Sequence, residues 1–99
     1  MLDSVRHERA RVLFKAMELA VRGEHACVRC HTASQAMRAR AMACRVAKAA
    51  KLGSTVSWCR MGRASWILRV GDAGWITFVV HGDPYAAVCN PLFDMPEPA

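Results

Sequence analysis

Residues 65–81 read SWILRVGDAGWITFVVH, and this stretch decides the fold class. Two runs rich in β-branched and aromatic residues, Ser65–Val70 and Trp75–His81, flank Gly71-Asp72-Ala73-Gly74. Such residues suit a pleated strand, and the glycines supply the backbone freedom that a reversal needs. With a side-chain period of two, Trp66, Leu68 and Val70 share one face, with Ile67 and Arg69 on the other. Upstream, Thr55–Met61 has the same character and is separated from Ser65 by a turn at Gly62. Three short runs at about ten-residue spacing predict an antiparallel meander.

Before residue 55 the apolar period changes from two to 3.6. Residues 33–52 predict a helix: Thr32 or Ser34 caps its start, alanine is abundant, and Gly53 follows. Its apolar stripe is Ala36, Ala39, Met42, Ala43, Val46 and Ala50, small enough to let another element approach closely. Residues 4–22 predict a first, amphipathic helix, capped by Asp3 or Ser4 and ended by Gly23. Between the helices, His25-Ala-Cys-Val-Arg-Cys-His31 reads as a short strand. Val28 and Cys30 then point one way, and Cys27, Arg29 and His31 the other. After the meander, Asp83-Pro84 breaks the pattern, and Tyr85–Cys89 could add a short edge strand. The expected fold is α+β: two helices packed on a three- or four-stranded, mainly antiparallel sheet, in the order α-β-α-β-β-β. Residues 1–90 form one compact basic domain, and 91–99, with three prolines and two acids, a C-terminal tail.

The charge is unevenly spread. The 99 residues carry a formal net charge of +6. All 14 Lys and Arg fall in residues 1–70 with only four acids, while residues 71–99 hold four acids and no Lys or Arg. One end of the chain is thus able to neutralise part of the other. Between Glu24 and Asp72 no acid occurs, yet nine basic residues do. The 54% hydrophobic content fits a folded globule. No run approaches the roughly 18 apolar residues of a membrane span, and the charged N-terminal segment lacks the apolar core of an export signal. A cytoplasmic protein is expected, with no membrane partner. Its five cysteines would then be thiols or ligands rather than disulfides.

Cys27-Val28-Arg29-Cys30-His31 spells C-x-x-C-H, the pattern of covalent haem attachment. It also offers Cys27, Cys30 and His31, or His25 in its place, as zinc ligands, with Cys44 as a fourth. The second close-spaced pair of an ordinary zinc site is missing, and a buried strand accounts for the same residues. No cofactor is therefore expected. His81-Gly82-Asp83 reads as a strand end entering a turn rather than a catalytic pair. No nucleophile motif, phosphate-binding loop or paired carboxylates occur, so the expectation is a protein that binds rather than catalyses.

The binding surface is expected on the second helix. At 100° per residue, Arg38, Arg40, Arg45, Lys48 and Lys51 span about 160° of it. Arg60, Arg63 and Arg69 of the first hairpin would extend the patch, and Trp58 offers a base-stacking ring unless it joins Trp66 in the core. Arginine binds phosphate through paired hydrogen bonds and stays charged. This layout points to nucleic-acid phosphates contacted without strong sequence specificity, since Gln35 is the only amide side chain nearby. The same basic face would equally serve an acidic protein surface. Small arginine-rich domains of this style are common among phage and mobile-element accessory proteins that block host complexes. The alanine stripe also leaves a homodimer open.

Overall fold

The computed structural model describes residues 2–51, 54–57, 65–71 and 73–97. Two helices, α1 (Leu2–Val21) and α2 (Ala33–Ala49), lie on one face of a five-stranded sheet. The strands are β1 (His25–Cys30), β2 (Ser54–Ser57), β3 (Ser65–Val70), β4 (Gly74–Val80) and β5 (Leu92–Asp94), in spatial order β2-β3-β4-β1-β5. The α+β class and the order α-β-α-β-β-β hold over the first six elements.

The sheet is mixed. β2, β3 and β4 are antiparallel, whereas β1 is parallel to both β4 and β5. Chain direction explains this. β1 runs out, α2 returns, and β2, β3 and β4 alternate, so β4 must run the same way as β1. β5 departs from the expected tail at 91–99, because residues 92–94 pair with the free edge of β1. Tyr85–Cys89 supplies no edge strand. Pro84–Ala87 is instead a short 3₁₀ turn within the connection between β4 and β5.

Local signals place both helix ends. Gly23, at φ +85, follows α1; Glu24 N–H donates to Leu19 O and Gly23 N–H to Ala20 O, each at 3.0 Å. That pair of bonds satisfies the last carbonyls of the helix and needs a left-handed residue, which glycine supplies at little cost. Thr32 caps α2 by accepting from Gln35 N–H at 3.1 Å. The helix stops at Ala49, three residues before the expected end.

The core lies between helices and sheet. α1 contributes Leu13, Ala16, Met17 and Ala20, and the sheet contributes Val28, Leu68, Val70, Ile76 and Phe78. Trp66, Leu68 and Val70 are buried, whereas Arg69 is exposed, as the period of two requires. α2 buries Gln35, Ala36, Ala39, Ala43 and Ala47. The four alanines, at i, i+3 and i+4 spacing, are small enough to let the helix sit close to the sheet. Ala47 replaces Ala50 in the expected stripe, Met42 is 45% exposed, and Val46 is half-buried. The stripe needed only a small rotation toward the sheet to exclude Met42.

The opposite face of β4 is also covered. Thr77 and Val79 are fully buried there, beside Ala86 and Cys89 from the returning segment. Cys27 lies on this face and is disulfide-bonded to Cys89, with the Cα atoms 6.0 Å apart. The expectation of reduced thiols is thus corrected for this pair: the β4–β5 connection folds back and brings together two cysteines 62 positions apart.

Candidate functional site

The outer face of α2 is built by its inner face. With Ala36, Ala39, Ala43 and Ala47 turned to the sheet, helical geometry aims Arg38, Arg45 and Lys48 at solvent, within an arc of about 80° and along about 15 Å of helix. All three are exposed. Among the described residues, none of the three forms an ion pair with a carboxylate. The first turn of α2 contains no acid. A cleft of about 170 Å³ beside that turn is lined by Arg9, Ser34, Gln35, Arg38 and Met42, among others.

The remaining basic residues do not gather on this face. Arg40 is half-buried where α2 turns back toward the sheet, and Lys51 lies beyond the helix at φ +57. Arg69 is on the sheet face opposite α2, so it cannot extend the same patch. Arg60, Arg63 and Trp58 lie outside the described residues. Arg29 is neutralised: Asp94 of β5 takes both its Nε and its Nη2, the latter at 2.9 Å. The Arg29 guanidinium in turn holds the Asp94 carboxyl below the ordinary carboxylate range, with His81 and His31 adding to the effect. Through Asp94 the acidic end of the chain therefore cancels one charge of the acid-free stretch, and among the described residues it forms no ion pair with Arg38, Arg45 or Lys48.

Gln35, the one amide near the helix, is occupied. Its Nε2 donates to Pro96 O at 2.9 Å and its Oε1 accepts from His31 N–H at 2.8 Å. It is 9% exposed and joins the start of α2 to the segment after β5.

The C-x-x-C-H motif does not converge on one point. Cys27 faces the returning segment, while Cys30 faces the helical core, where burial pushes its thiol up to about 12. Cys30 stays protonated at neutral pH and is a poor ligand. His31 donates from Nε2 to Met95 O at 3.0 Å and stacks on His81, with centroids 5.8 Å apart. Cys44 is half-buried on α2. Among the described residues the one convergent set of at least three His, Cys, Asp or Glu ligands is His25, Cys27 and Cys89, whose ligand atoms lie within 4.8 Å of one another. His25 is partly buried, which lowers its pKa. It is hydrogen-bonded through Nε2 to Thr77 Oγ1 at 2.9 Å and stacks on Trp75 at 5.1 Å. The strand period puts His25 and Cys27 on one side; nothing local signals Cys89.

One apolar feature adjoins the basic face. A groove of about 90 Å³ runs between the helices, lined by Leu13, Phe14, Met17, Met42 and Val46 among others. Phe14 is 58% exposed. Among the described residues, no helix is long and apolar enough to cross a membrane. Comparison with protein-family models, with curated proteins and with solved structures returned no match.

Proposed function

We propose that the chain is a non-catalytic binding protein whose second helix lies against nucleic-acid phosphates through Arg38, Arg45 and Lys48. The observation that carries this reading is the stripe itself: three exposed cations on one face, unopposed by carboxylates among the described residues. Duplex DNA presents one charge per about 1.7 Å of axis, so a 15 Å row of cations meets a dense row of partners. Contacts of this kind position a protein on the backbone and carry no base sequence. The engagement of Gln35 within the fold supports the same lack of specificity, because the other amide side chain, Asn90, lies in the β4–β5 connection and not on α2.

Binding of duplex and single-stranded DNA and RNA across a salt series tests the reading. Three phosphate contacts give a slope of log K against log salt of about −2.7 on duplex DNA. Affinity that stays flat between low and moderate salt rejects it.

A second reading has its own observation. The exposed Phe14 and Met42 beside Arg38 and Arg45 match the apolar-and-arginine composition of protein interfaces. On that reading the chain is a small inhibitor or adaptor docking on an acidic protein surface, in the manner of phage and mobile-element accessory proteins. A partner that remains bound after nuclease treatment favours this reading; association abolished by nuclease favours the first.

A further inference from the structure

We propose that His25, Cys27 and Cys89, once their disulfide is reduced, form a zinc site that the disulfide closes. The site lies on the sheet face away from α2 and does not depend on how α2 is used.

Three observations converge. First, the three ligand atoms already lie within 4.8 Å of one another. A tetrahedral zinc ion with Zn–S of about 2.3 Å and Zn–N of about 2.0–2.1 Å needs S···S and S···N separations of about 3.5–3.8 Å. The 6.0 Å between the Cα atoms of Cys27 and Cys89 leaves each sulfur room to swing to that distance without moving a strand. Second, two of the three ligands come from one strand, and the third, Cys89, is buried in the β4–β5 connection. His25 and Cys27 are two apart on β1, flanked by β4 and β5, and both cysteines are buried. Third, the imidazole is already oriented. Thr77, fully buried on β4, holds Nε2 at 2.9 Å, and Trp75 stacks on the ring. In the tautomer whose Nε2–H donates to Thr77 Oγ1, Nδ1 carries the lone pair that binds metal. A hydrogen bond of this kind from a ligating histidine fixes its tautomer and ring plane.

Two thiolates and one imidazole suit a borderline-soft d10 cation. Three protein ligands leave a fourth position for water or an exogenous donor, the arrangement of an open zinc site. The chemistry balances with a dithiol as reductant. The Sγ–Sγ bond breaks, the dithiol supplies two electrons and two protons, and it becomes a disulfide. Zinc then replaces the two thiol protons, which leave to solvent. Oxidation by a disulfide reverses the sequence: the Sγ–Sγ bond re-forms, zinc is released, and the incoming disulfide takes the two electrons and two protons from solvent to become two thiols. Metal and disulfide are therefore mutually exclusive occupants.

The test uses the full chain reduced with a phosphine, which takes the oxygen of a water molecule and leaves two thiols. Under anaerobic conditions Co2+ is titrated as a spectroscopic probe, and Zn2+ is then added. The expected result is one equivalent of Co2+ with tetrahedral visible bands and a thiolate charge-transfer band, both lost when Zn2+ displaces it. Unreduced protein should show neither. Cys27→Ser and Cys89→Ser should lose the charge-transfer signature. Thr77→Val, which touches no metal, should weaken binding by about 10–100-fold. Cys30→Ser should bind as the parent does. Reduced parent and Cys89→Ser lack the same disulfide, so the comparison does not confound ligation with the bridge; circular dichroism verifies that both are folded. A folded, reduced protein that binds no stoichiometric Co2+ overturns the proposal, as does binding that survives in Cys89→Ser or in the unreduced chain.

Discussion

Gly74→Ala tests the packing that seats α1 on the sheet. Gly74 opens β4, and its backbone runs under the last turn of α1. A Cβ built there overlaps the carbonyl oxygen of Ala20 and stands 2.8 Å from the Ala20 Cα. Both are backbone atoms of a helix whose end is fixed by the bonds from Gly23 and Glu24, so neither yields by a rotamer change. The φ of Gly74 lies outside the left-handed region, so the penalty is steric alone. Overpacking costs about 1–3 kcal/mol where neighbours adjust, and an immovable backbone puts this site at the top of that range. At about 4–8 °C per kcal/mol for a domain of this size, Tm should fall by about 12–24 °C. Gly71→Ala is the control. Its φ of +65 carries a left-handed penalty of about 1–2 kcal/mol, but nothing lies within 4 Å of its Cβ. Thermal unfolding followed by circular dichroism should rank Gly74→Ala well below Gly71→Ala. If Gly74→Ala loses less stability than Gly71→Ala, the close seating of α1 on β4 is wrong.

Cys89→Ser should lower the unfolding free energy of the oxidised protein by about 2–4 kcal/mol, since the bridge closes a long loop; urea denaturation of reduced parent and variant should then coincide, and unequal midpoints count against the bridge. Gln35→Ala leaves His31 N–H and Pro96 O without their partner and should cost about 1–3 kcal/mol, read from the same urea curves; a change under about 0.5 kcal/mol refutes the bonding role. Asp94 has a folded pKa lowered chiefly by its hydrogen bonds from Arg29. Its stabilising contribution is therefore complete above the unfolded value of about 3.9 and disappears as pH falls through the lower folded value. Tm of the parent should exceed that of Asp94→Asn at neutral pH and meet it in acid; a gap independent of pH contradicts the pairing.

Much of the fold was legible because its signals are local. The period of two separated Trp66 and Leu68 from Arg69, Gly23 marked the end of α1, and Thr32 marked the start of α2. The misread features depend on contacts distant in sequence. Leu92–Asp94 is three residues between prolines and has no strand signature of its own; it becomes β5 because β1 has a free edge and Arg29 meets Asp94 across it. Cys89 pairs with Cys27 only because the β4–β5 connection crosses the sheet, a path that neither spacing nor an odd cysteine count reveals. The basic face narrowed for a related reason. Charge alone grouped Arg40 and Arg69 with Arg38 and Arg45, but α2's line of alanines turns Arg40 inward, and strand alternation sends Arg69 to the other side of the sheet.

The central claim is that the outer face of α2 grips phosphate. The direct measurement is duplex DNA binding by the parent and by an Arg38→Glu/Arg45→Glu double variant between about 50 and 200 mM salt. Circular dichroism establishes that the variant is folded, as expected for two exposed side chains outside the core. The account predicts a parent slope of about −2.7 that drops to about −0.9 or lower in magnitude in the variant, with affinity lost at every salt concentration. A folded variant that binds with the parent's affinity and slope would contradict it.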